Sequence, residues 1–383
     1  MHKRILTIII AVLIVVVAAG VTVALLHQRS SSNTAVAPSS TPTAVASDPS
    51  ADALKCVETL PTDIKISQKL MVAGYSDLLA TETPVFVATT IGGVIIMDQT
   101  PASAIKTIHD GVAITPSIAV DQEGGTVQRY TQEGVLPGAK DMATNYTTAQ
   151  AYNLYLKDDT FLKTIGITTN FAPIVDVESQ TQSPLPGRIY SSDPNTVVSY
   201  ATQAIKASTQ SDITPVIKHF PGLGSATGNT DFTTATTAPL SELQTRDLIP
   251  YTKLSALKPD VMVSNAIVPG LTDGNPAVWS PAALALLRSS GYQQSVVYTD
   301  SLTAAAIPGT LADASVKSWQ AGIDVALIVQ TRQNTPNLQN DLTAIIARAT
   351  SALQSGELNS KELNASVARI LARKGINPCD ITI

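Results

Sequence analysis

Aromatic side chains supply only 4 % of this 383-residue chain and charged ones only 14 %. A long polysaccharide cleft is usually floored with stacked rings, so one compact pocket is the better expectation. The formal net charge of −5 argues against nucleic acid, whose partners carry strongly basic surfaces. Histidine and cysteine are scarce, at four and two. They form no cluster with metal-ligand spacing, so no transition-metal site is expected. There is no GxSxG elbow for a serine hydrolase. Neither a glycine-rich dinucleotide fingerprint nor a GxxxxGK phosphate loop occurs, and no cofactor is expected.

What is present begins with an uncharged apolar run, ILTIIIAVLIVVVAAGVTVALL, over residues 5–26 behind Lys3 and Arg4. Its length spans a bilayer as a helix, and the positive-inside rule keeps the N-terminus cytoplasmic. The expectation for residues 1–27 is a signal-anchor in the cytoplasmic membrane; cleavage after Ala18, Ala19 and Gly20 would instead make the protein secreted. Residues 28–54 are rich in Ser, Thr, Ala and Pro and read as a disordered tether. The globular domain then occupies residues 55–383, on the extracytoplasmic side. Cys56 and Cys379 stand at its two ends, and in an oxidising compartment they are expected to form a disulfide.

Within that domain, short apolar runs alternate with segments of helical spacing. The runs are GGVIIMD (92–98), PSIAVD (116–121), TNFAPIVD (169–176), TPVIKHF (214–220), VMVSNA (261–266), SVVYTD (295–300) and DVALIV (324–329). Continuous rather than alternating apolar character suits strands buried on both faces of a parallel sheet. The last helix is the clearest, with Asn359 as cap and Leu363, Val367, Ile370 and Leu371 on one face. Repeated strand–helix units of this length predict an α/β fold, a TIM-type (β/α)₈ barrel in preference to a doubly wound sheet.

The charged residues fall at the ends of these runs. Asp121, Asp176, Lys218 with His219, and Asp300 each close one. In a parallel barrel all such ends open on the same face, where active sites are built. One strand-end aspartate reads as a cap, but four strands with charged ends read as a pocket. His109 stands apart on a predicted helix surface, leaving His219 as the site histidine. Carboxylates with a few cations and no metal cluster suit a neutral, polyhydroxylated ligand, and sugar chemistry needs one carboxylate to attack and another group to protonate the leaving oxygen.

DQEGGTVQRY (121–130), NFAPIVDV (170–177), GRIYSSDP (187–194), KHFPGLG (218–224) and VVYTDSL (296–302) resemble the successive motifs of glycoside hydrolase family 3. The branch they resemble is that of single-barrel bacterial β-N-acetylhexosaminidases acting on cell-wall fragments. The resemblance covers about residues 60–375. It implies a retaining hydrolase that removes terminal N-acetylglucosamine from a glycan or muropeptide, acting as a monomer. It implies Asp300 as the nucleophile, with Asp121, Arg129, Arg188, Lys218 and His219 binding the sugar hydroxyls. Asp176 and Asp193 would have supporting roles.

The loop after KHFPG departs from that pattern. Family members carry an Asp-Ser-His triplet there, whose histidine is the general acid/base; here the triplet falls on Asn229, Thr230 and Asp231. Three readings compete. Asp231 is itself the acid/base, which requires a pKa above the usual value of about 3.9; or acid catalysis is lost and the domain only binds sugar; or another carboxylate, such as Glu123 or Asp98, enters. Asn265, where the family often has histidine, and Thr126, where arginine is common, are expected to alter contacts with the leaving group.

Overall fold

The computed structural model describes residues 50–110, 112–179, 183–333 and 337–383. The apolar run at 5–26 lies outside them, as does most of the expected tether. Among the described residues no helix is long and apolar enough to cross a membrane. Ala51–Thr59 is helical, within the stretch assigned in part to the tether; the Ser50 side chain caps it by accepting from the Ala53 N–H.

Eight parallel strands form the barrel: β1 Leu70–Gly74, β2 Gly93–Ile96, β3 Ser117–Val120, β4 Thr169–Asn170, β5 Thr214–Phe220, β6 Asp260–Val263, β7 Val297–Thr299 and β8 Ala326–Ile328. Each pairs with its chain neighbours, β1 pairs with β8, and a parallel bridge from Tyr298 to Val325 brings β7 to β8. Helices follow the strands in turn. Two differences from the sequence reading have local causes. The first strand, LMVAG, went unread because it ends in glycine rather than in a polar residue. The run 169–176 pairs as a strand for only two residues, because Pro173 has no N–H to give a ladder; pairing returns as a bridge between Ile174 and Lys218.

The strand period of two decides what faces the barrel axis. Met71, Ala73, Ile95, Ala119, Phe171, Val216, Met262, Tyr298 and Leu327 pack together inside. Their neighbours Val72, Val94, Ile118, Ile217, Val261, Val297 and Ala326 pack outward against the helices. Two residues beyond Ala119, Val216 and Tyr298 come Asp121, Lys218 and Asp300. The same alternation that fills the barrel therefore turns these three charged groups inward at its C-terminal mouth.

The opposite mouth is closed by the helix Ser360–Arg373, capped by Asn359. Its Ile370 enters the barrel core. Arg369 bonds Asp324 and Arg373 bonds Asp260, beneath β8 and at the start of β6. Leu363, Val367 and Leu371 meet Val57 and Leu60. Cys56 and Cys379 form the expected disulfide beside this packing, with Cα atoms 5.1 Å apart.

Candidate active site

Lys218, on β5, is the centre of the mouth. Its Nζ lies 2.6 Å from Asp121 Oδ1 and 2.7 Å from Glu123 Oε1, with the lysine side chain only 3 % exposed. Burial by itself would lower its pKa, but the two carboxylates overcome this and raise it. Arg188 grips Glu123 from the other side through Nε at 2.7 Å and Nη2 at 2.8 Å, a bidentate pair. Burial would push Glu123 up; Lys218 and Arg188 outweigh it and hold the carboxyl at about 2. Glu123 therefore has no proton to donate near neutral pH, which removes it as the acid. Asp98 is also committed, to Ser76, Thr100 and Arg332. These bonds hold it below its ordinary range against burial.

The turn that carries Asp121, Glu123 and Arg129 is fixed from within. Gln122 accepts from the N–H groups of Arg129 and Tyr130 and donates to the Tyr130 carbonyl and Asp158. Gly124 sits at φ +92°, and a Cβ there would meet the Pro137 carbonyl oxygen at 2.4 Å, so the tight turn needs glycine. Arg129 Nη2 is 3.7 Å from Asp121 Oδ2, and its buried Nε has no partner. This guanidinium has donors in reserve. Thr126 is exposed at the tip of the turn.

His219 follows Lys218 and is oriented by Asp176, which is fully buried. Asp176 Oδ2 lies 2.7 Å from His219 Nδ1, and Oδ1 accepts the N–H groups of His219 and Leu223. Because Asp176 only accepts, Nδ1 carries the proton and Nε2 is left for a ligand. Asp176 thus orients a site residue, while Asp193 caps the helix Pro194–Gln210. His109, expected on a helix surface, is half-buried at the end of its helix and lies outside the pocket.

Asp300, next after β7, is partly buried. Its Oδ1 accepts the Ser301 N–H at 2.7 Å, and its own N–H bonds the Val263 carbonyl. Burial raises its pKa, the charge of Asp231 adds to that, and His219 and Lys218 act against it. Among the described residues Asp300 makes no ion pair, unlike Asp121, Glu123, Asp176 and Asp98.

Asp231 is exposed on its loop, and its N–H bonds Asn229 Oδ1 at 2.9 Å. The asparagine that replaces the usual aspartate therefore shapes the loop. Thr230 is buried, and the Thr230 and Asp231 carbonyls accept the N–H groups of Ala306 and Ala305. This holds the loop against the segment that follows Asp300. Asn265 departs from its expected role at the leaving group. It is 1 % exposed and donates to the Ser301 carbonyl, because its place at the end of β6 puts it beneath that segment.

The sequence matches the glycosyl hydrolase family 3 N terminal domain over residues 62–372. The chain belongs to glycosyl hydrolase family 3. It is a glycosidase of that family. It is 34 % identical to Beta-hexosaminidase LpqI of Mycobacterium tuberculosis (strain ATCC 25618 / H37Rv) over 331 residues, 82 % of this chain and 83 % of that protein. Of solved structures, M tuberculosis LpqI superposes with a TM-score of 0.77 at 32 % identity, covering 85 % of this chain and 97 % of the other. A glycosyl hydrolase family 3 member from Mycobacterium smegmatis gives 0.76 at 34 %, covering 83 % and 98 %.

The family 3 barrel brings together all five sugar-binding candidates and Asp300, and adds Glu123, which the sequence reading had weighed only as an acid. A carboxylate inside the DQEGG motif was a visible signal. Its pairing with Lys218 and Arg188, far along the chain, was not.

Proposed function

We propose that this family 3 glycosidase is a retaining β-N-acetylhexosaminidase that removes terminal N-acetylglucosamine from cell-wall glycans or muropeptides. The carrying observation is that Asp300 is the strand-end carboxylate left without an ion pair. It follows directly on β7, takes one N–H bond from Ser301, and so keeps lone pairs for the anomeric carbon. The relatives named beta-hexosaminidases support the N-acetylhexosamine ring. Lys218, Arg188, Arg129 and His219 supply donors to its hydroxyls, with Asp121 as acceptor. Asp231 protonates the leaving oxygen and then draws a proton from water, so that the glycosyl–Asp300 ester is hydrolysed with retention. The apolar run at 5–26 supports a membrane-anchored barrel facing the wall.

Two substrates separate these roles. An aryl N-acetyl-β-glucosaminide has a good leaving group and depends on Asp300 while scarcely needing the acid. Asp300→Asn should abolish its turnover, and residual turnover near wild type would remove Asp300 as nucleophile. Asp231→Ala should spare the aryl substrate relative to an N-acetylglucosamine disaccharide, which should slow by about 10²–10⁴-fold. Equal effects on both, or none, would take the acid role away from Asp231.

A further inference from the structure

Asn265 has so far been placed but given no part in the chemistry. Its Nδ2 donates to the Ser301 carbonyl at 2.7 Å, while its buried Oδ1 has no hydrogen-bond partner among the described residues. An unpaired buried acceptor lowers stability. What the position keeps in exchange is the bond at the other end of the amide.

Ser301 is a junction. Its N–H holds the Asp300 carboxylate, and its carbonyl also accepts the Ala304 N–H, which closes a turn. Just past that turn, Ala305 and Ala306 hold the carbonyls of Asp231 and Thr230 at 3.2 Å. One short segment therefore starts at Asp300 and ends on the loop of Asp231. Leu302 and Thr303 tie it to the β8 side, through the carbonyls of Leu327 and Val329. Asn265 ties it to β6.

We propose that Asn265 is a positioning residue that aims the Asp300 carboxylate and, through the turn after Ser301, sets its spacing from Asp231. The proposal rests on the roles given to Asp300 and Asp231 above. Retention needs the two carboxyl groups about 5–5.5 Å apart, and a displacement of roughly 1 Å can cost on the order of 100-fold in rate. A donor that fixes the shared segment therefore acts on both groups at once.

The test compares Asn265→Ala, Asn265→Asp and Asn265→His in the full chain. Asp keeps the shape and loses the donor; His restores a ring N–H. The readouts are kcat and its pH profile on the aryl substrate, Kd for N-acetylglucosamine, melting temperature, and labelling of Asp300 by 5-fluoro-N-acetylglucosaminyl fluoride. Ala and Asp should lower kcat roughly 10- to 100-fold, shift the pH profile and leave the sugar Kd unchanged, and His should recover most of the loss. A wild-type kcat and pH profile in either donorless variant, whatever its melting temperature, overturns the proposal, as does failure of His to recover activity when folded. If Ala does not fold, the Asp variant decides. Absence of label on Asp300 in the wild-type protein counts against the nucleophile, separately from Asn265.

Discussion

Replacing Lys218 by methionine would leave Asp121 and Glu123 facing each other without the ammonium that lies within 2.7 Å of both. The size of the loss follows from Glu123, whose carboxyl is held at about 2 against an ordinary 4.5, with Lys218 the first of the two cations that outweigh burial. That difference of 2.5 corresponds to about 3 kcal/mol of linkage, and breaking a buried pair generally costs about 3–5 kcal/mol. Because the folded pKa is depressed, the stabilisation is complete above the unfolded value and is lost as pH falls toward 2. The deficit of the variant should thus be about 3 kcal/mol at pH 7.5, or a melting temperature lower by ~4 °C, and should shrink to less than half at pH 3. Thermal and urea unfolding at the two pH values measure it. A deficit under about 1 kcal/mol at pH 7.5, or one equal at both, would refute the claim that Lys218 holds two ionised carboxylates.

Two further outcomes follow from buried or cross-linked groups. Asp158 is pushed up to about 7 by burial, so its contribution is present at low pH and lost as pH rises toward 7; Asp158→Asn keeps the acceptor for Gln122 and should melt higher than wild type at pH 8, by at most ~4 kcal/mol, with the gap closing below pH 4. Unchanged melting at pH 8 would show that the carboxyl ionises there without cost. Cys379→Ser opens the loop of 323 residues closed by the disulfide and should lower stability by no more than about 5 kcal/mol; reductant should do the same to wild type and nothing to the variant.

The barrel was legible in the sequence because its strands are buried on both faces, which writes each as an apolar run with a charged end. Asp121, Lys218 and Asp300 were legible for the same reason. What escaped was of two kinds. Leu70–Gly74 has no polar terminus, so nothing sets it apart from a core helix fragment. Glu123, Asn265 and the grip of Ala305 and Ala306 on the Asp231 loop depend on which segments meet in space. A motif can mark a carboxylate or an amide, but its counter-charge or its carbonyl lies on another strand.

The closed floor of the barrel has a practical side. The helix Ser360–Arg373 stops that mouth, and beside it the disulfide brings Cys56 and Cys379, from the first and last described elements, to within 5.1 Å at their Cα atoms. The first and last described elements thus lie on the face opposite the chemistry. For an engineer this makes the barrel a cup fastened from underneath: a label or a surface linkage at the base leaves the rim, with Asp300 inside it, turned toward solution.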